Sequence, residues 1–127
     1  MHAIDAVTRD LLEKTEFLAI VTQGPDGPHV AGNWGDYLRR LGIDGDRIVL
    51  PAGHYHETEN NLRSNNRIQV LVASRGVKGS HGPGQGCLLS GTGSVQTEGE
   101  AAQHAKANFP WARGALVIDV ESVKLQL

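Results

Sequence analysis

Short apolar runs alternate along the chain with clusters of glycine, proline, asparagine and aspartate. Their spacing carries the first structural information. Ile4, Val7, Leu11 and Leu12 recur at helical intervals and predict a helix over residues 4–14. "FLAIVTQ" (17–23) is a continuous apolar run of strand length, and "GPDGPH" supplies hairpin turn residues. "HVAGNWGDYL" (29–38) reads as the return strand, "GIDGDR" as a second turn and "RIVLPAG" (47–53) as a third strand. "HETENNLRSNN" (56–66), with Thr58 its one β-branched residue, predicts a short helix. In "RIQVLVAS" (67–74), Ile68, Val70 and Val72 share one face while Gln69 and Leu71 share the other, as in a strand. "RGVKGSHGPGQG" (75–86) has no periodicity and reads as a long loop. "CLLSGTGSVQTE" (87–98) predicts a strand with glycine kinks, "EAAQHAKAN" a helix and "ALVIDVESVKLQL" (115–127) a long final strand.

The expected fold is therefore mainly β, with six strands and about three short helices. Short turns between successive strands favour antiparallel pairing. A closed or partly closed barrel would hide the sheet edges. No internal repeat is visible, and 127 residues suit one domain, 1–127.

Composition narrows the function classes. The 12 Lys and Arg against 14 Asp and Glu leave a net charge of −2 and no basic run, which argues against general nucleic-acid binding. No stretch approaches the roughly 18 consecutive apolar residues of a membrane helix. The first residues are acidic and amphipathic rather than basic and apolar, so a cytoplasmic location is expected. The single cysteine, Cys87, excludes an internal disulfide and reads as a small core residue.

Candidate chemistry concentrates in "PAGHYHETENN" (51–61). On an extended chain His54 and His56 share a face, as two metal ligands would, and Glu57, Glu59 or His81 could complete a donor set. Alternatively Thr58 caps a helix whose positive end favours Glu57 and Glu59. The same helix start, with its free N–H groups and a hydroxyl, could hold a phosphate. Taken locally, these residues leave all three readings open. Trp34 and Trp111 each stand beside small residues, and with Tyr37 they could pack in a core or wall a flat aromatic ligand. "GPGQG" (82–86) lacks the lysine and the strand-to-helix setting of a P-loop.

Taken in order, "TQGPDGPHVAGNW", "DRIVLPAG", "HETENN", "GPGQG" and "WARGALVIDV" resemble the small FMN-binding proteins of sulfate-reducing and related bacteria. These belong to the FMN-binding split barrel group, the fold of pyridoxamine 5′-phosphate oxidase. The similarity runs from about residue 17 to residue 127. It implies a six-stranded antiparallel split barrel of Greek-key type and a homodimer, with FMN held non-covalently at the dimer interface. By this resemblance Ala31, Gly32, Asn33 and Trp34 run along the flavin, with Trp34 near its ring, and Leu50 and Pro51 form another wall. Tyr55, His56, Glu57 and Thr58 correspond to the phosphate-binding turn. Trp111 and Leu127 approach the flavin from the partner chain. One position departs from the pattern: Glu57 stands where the family usually offers a lysine. His56, Arg63, Arg67 or Arg75 could supply the missing charge, or Glu57 could turn away.

The expected function is that of a redox flavoprotein that exchanges electrons with a partner protein or with NAD(P)H, since the short chain leaves little room for a substrate pocket. No side chain need act as acid or base. A flavin-dependent reductase or oxidase acting on a small molecule is the alternative. A metal-binding barrel built on His54 and His56 and a haem-binding split barrel are more remote ones.

Overall fold

The computed structural model describes residues 2–127. Among these, four helices and seven strands follow one another: α1 (Ala6–Lys14), β1 (Phe17–Gly24), β2 (Gly27–Trp34), α2 (Gly35–Leu41), β3 (Ile43–Asp44), β4 (Arg47–Ala52), α3 (His56–Ser64), β5 (Arg67–Lys78), β6 (Pro83–Gln96), α4 (Glu100–Asn108) and β7 (Gly114–Leu125). All strand pairs are antiparallel, in the order β2-β1-β5-β6-β7-β4-β3. No backbone ladder joins β2 to β4 or β3, so the barrel is split rather than closed.

Three expectations need correction. The strand count is seven, not six, because the segment read as a turn contains β3, whose two residues pair with Ile48 and Arg47. The helix count is four, not three. The predicted return strand stops at Trp34, and "GDYLRRL" forms α2. Gly35 permits the close approach at this point: a Cβ there would lie 1.9 Å from the Thr15 carbonyl oxygen. Leu38 and Leu41 then face the core one turn apart, and Gly42, at φ 94°, ends the helix. Finally, most of the supposed loop 75–86 is strand. β5 and β6 continue their ladder around an irregularity between Ser74 and Lys78, held by backbone bonds that side-chain periodicity does not report.

Elsewhere the apolar pattern translates directly into packing. Ile68, Val70 and Val72 point inward from β5 to meet Leu18 and Ile20 of β1, Leu89 of β6, and Leu50 and Leu116 across the barrel. Each fully buried side chain of this kind contributes roughly 1.5–3 kcal/mol. In α1, Leu11 and Leu12 are buried but Val7 is exposed. That helix begins later than expected because Asp5 caps it, its carboxylate accepting from the Thr8 N–H at 2.9 Å. α3 carries the chain from β4, near one edge of the sheet, to β5 near its middle, and a buried bond from Asn61 Nδ2 to Thr22 Oγ1 ties it to β1. No helix among the described residues is long and apolar enough to cross a membrane.

β6 bends where its register with β7 shifts, between Ser90 and Gly91. A Cβ on Gly91 would come within 1.9 Å of the Asp119 carbonyl oxygen. Gly91→Ala should therefore lower unfolding free energy by about 1–3 kcal/mol, the range for overpacking a tight site. Urea denaturation checks this, and an unchanged midpoint would show that the bend does not need glycine.

Candidate functional site

The split between β2 and β4 is bridged by side chains instead of a ladder. Asn33, buried on β2, donates through Nδ2 to the Pro51 carbonyl of β4 at 3.2 Å and to the Tyr55 hydroxyl at 2.9 Å. Its Oδ1 accepts from the Trp34 N–H. The Tyr55 hydroxyl donates back to the Gly32 carbonyl at 2.7 Å. Burial pushes the Tyr55 phenol up to about 12, against a smaller opposing effect of the Asn33 bond.

A cleft of about 590 Å³ opens along this seam. Gly32, Asn33 and Trp34 form one side, and Pro51 with the turn Gly53–His54–Tyr55 the other; Phe17 and Trp111 complete it. Phe17 lies opposite Trp34 in the β1–β2 register and meets it edge to face, centroids 5.6 Å apart. The Phe17 ring lies so close over Gly32 that a Cβ there would be 2.1 Å from it. Trp111 covers Gly53 and leans on Tyr37 and Phe109, at 5.7 and 5.5 Å between centroids. Both tryptophans remain about half exposed, at 49% and 54%. They present flat apolar surface to whatever enters.

α3 starts at the end of the cleft. Its N-cap is Tyr55, not Thr58, and Tyr55 holds a left-handed backbone at φ 61°. That conformation costs a non-glycine residue about 1–2 kcal/mol. Thr58 lies one turn inside, fully buried, and its Oγ1 has no hydrogen-bond partner. Such an orphaned hydroxyl beside the free N–H groups of a helix start fits an acceptor-rich ligand such as a phosphate.

The carboxylates near this helix end are all engaged. Glu57 turns to Nδ1 of His29 on β2. Glu59 takes Arg113 Nη2 on one oxygen at 2.9 Å and Arg63 on the other at 2.8 Å. Arg67 pairs instead with Glu121, and Arg75 lies beside Pro83 on the β5–β6 hairpin. None of the arginines weighed from the sequence reaches Glu57.

Of the residues singled out in the sequence, the cleft gathers Gly32, Asn33, Trp34, Pro51, Tyr55 and Trp111; Trp111, expected to approach from a partner chain, lines the cleft of its own chain. His56, Glu57 and Thr58 form the first turn of α3, Ala31 lies next to the cleft on β2, and Leu50 is wholly in the core. Leu127 lines a different hollow, about 530 Å³, with Arg75 and His81. Phe17, Gly53 and Arg113 were missed. The hairpin register could have placed Phe17 opposite Trp34; Arg113 had no local signal. His54 lines the cleft, His56 is exposed, and no group of three or more metal-ligating side chains converges among the described residues.

Comparison with known proteins identifies the family of the chain. A family model described as pyridoxamine 5′-phosphate oxidase matches residues 4–126. The chain belongs to the pyridoxamine 5′-phosphate oxidase family. It is 43% identical over 118 residues to an "FMN-binding protein" of Nitratidesulfovibrio vulgaris (strain Miyazaki F), covering 93% of this chain and 94% of that one. Solved structures share the fold at lower identity. Group A Streptococcus HupZ superposes with a TM-score of 0.74 at 19% identity, over 93% of this chain and 92% of that one. An FMN-binding protein from Syntrophomonas wolfei gives 0.61 at 16%, over 94% and 83%. The resemblance read from the ordered motifs thus holds at the level of the family.

Tyr55 supplies a test of the seam. Its raised folded pKa means that the neutral phenol's contribution is intact below pH 10 and is lost as pH rises from 10 to about 12. Unfolding free energy should fall across that window, and fall less steeply in Tyr55→Phe. At neutral pH the same variant should lose about 0.5–1.5 kcal/mol through the missing hydrogen bonds. Identical alkaline profiles for the two proteins would contradict the assignment.

Proposed function

We propose that this protein binds FMN non-covalently and serves as a redox flavoprotein that passes electrons to or from a second molecule. The observation that carries the reading is a flat, tryptophan-walled cleft that ends at a helix start holding an unpartnered buried hydroxyl. A relative 43% identical over nearly the whole chain is named for FMN binding. Trp34 and Trp111 would flank the ring, and Asn33 and the β2 backbone would run along its edge. The first turn of α3, with Thr58, would receive the phosphate. When bound, FMN supplies hydride and single-electron chemistry at its ring. The chain's part is to orient the ring and shield one side of it. Half-exposed tryptophans leave the other side within reach of a partner redox protein or NAD(P)H. The family's name favours a second reading, oxidation or reduction of a small molecule, which steady-state turnover with NAD(P)H and candidate acceptors would reveal.

The working unit in this reading is a homodimer. The outer sheet face beside the cleft carries Val30, 63% exposed, and Leu71, 42% exposed, and register places Val21, Ala19 and Leu88 beside them. A second copy would cover this apolar strip, and its Leu127 would approach the cleft. A cytoplasmic setting suits the buried free thiol of Cys87.

The purified protein should show a flavin absorption spectrum, and FMN added to apoprotein should quench tryptophan fluorescence with saturation at one FMN per chain. Trp34→Ala should weaken binding about two- to twelvefold, matching about 0.5–1.5 kcal/mol of aromatic contact. No binding at micromolar FMN would overturn the reading.

A further inference from the structure

Arg113 stands just before β7 and reaches back across the turn between β4 and α3. Its backbone N–H donates to the Ala52 carbonyl at 2.9 Å. Nε donates to the carbonyls of Gly53, at 3.1 Å, and His54, at 2.9 Å, while Nη2 donates to His54 at 2.6 Å. Nη2 also holds Glu59 Oε1 at 2.9 Å, and Glu59 lies in the first turn of α3. One planar guanidinium thus grips the chain on both sides of Tyr55, the single non-glycine residue with positive φ among the described residues.

We infer that Arg113 is a positioning residue for the phosphate end of the flavin site; the inference rests on the FMN reading above. A trans peptide points its C=O and N–H in opposite directions. With the Gly53 and His54 carbonyls turned to Arg113, the N–H groups of His54 and Tyr55 face the other way. Successive N–H groups displayed by a turn that passes through the left-handed region make a concave anion site. Without the clamp, Tyr55 has reason to relax out of its strained conformation, and that display and the aim of α3 would go with it. The clamp also removes a repulsion. Glu59 would otherwise present a free carboxylate at the helix start, but Arg113 and Arg63 occupy both its oxygens.

The role predicts a selective defect. Arg113 acts on the turn, so its loss should weaken recognition of the phosphate and spare recognition of the ring. Trp111 leans on Tyr37 and Phe109 as well as on Gly53, so the ring side keeps support from outside the turn. Titrating FMN and riboflavin, which lacks the phosphate, separates the two. In Arg113→Ala, FMN affinity should fall about tenfold or more while riboflavin affinity stays within about twofold of the unaltered protein. Arg113→Lys keeps the charge but not the fork, and should remain impaired for FMN alone. Equal losses for both ligands would reduce Arg113 to a structural role and overturn the inference. So would full affinity in Arg113→Lys, or an unchanged FMN-to-riboflavin ratio in Arg113→Ala. If the unaltered protein bound neither ligand, the FMN reading would fall and take this inference with it. FMN binding by the unaltered protein with no selective loss in the variants would overturn the role of Arg113 alone.

Discussion

Between β2 and β4 the sheet stops pairing, and the hydrogen bonds of one asparagine and one tyrosine take over. Asn33 and Tyr55 join the two sides through the Pro51 and Gly32 carbonyls. A backbone ladder there would bring the strands within about 4.8 Å of each other and close the barrel. Side-chain bridging leaves a wider gap instead. Unpaired backbone lies along that gap, which would be a liability on an ordinary edge. Here it lines a cleft with two tryptophans and a phenylalanine. The opening in the fold and the opening of the site are one feature.

The turn that follows is the second dependency. β4 ends in the core at Ala52, and the chain must reverse into α3 within three residues. Tyr55 makes that reversal with a backbone conformation usually left to glycine. A tyrosine stands there nonetheless, and its hydroxyl bridges the seam. The strain is therefore sustained from two directions, by the phenol on the β2 side and by Arg113 on the β7 side. Strain held by surrounding structure is common where a turn must present backbone groups to a ligand.

Glu57 shows how a local reading can mislead. Its place in the first turn of a helix puts a carboxylate where the resemblance led one to expect a lysine. The structure pairs Glu57 with His29, which stands where the hairpin turn runs into the return strand β2. Like Arg113, which meets Glu59 from far along the chain, His29 gives no signal within its own neighbourhood. Both are partners across long sequence separations, which no window of neighbouring residues contains.

The sequence by itself determined the family and most of the strands. Ile68, Val70 and Val72 alternate because every second strand residue faces the core, and that period survives any tertiary arrangement. The glycine, asparagine and tryptophan of "GNW" and the "HYHET" turn were likewise readable, because a motif is a matter of order. Only the tertiary structure decided where the barrel splits and where β2 gives way to α2. It alone showed which helix residue is the cap and which arginine holds the turn. Each of these depends on a contact at short range in space and long range in sequence. Gly35 meets the Thr15 carbonyl, Asn33 meets Pro51, and Arg113 meets His54.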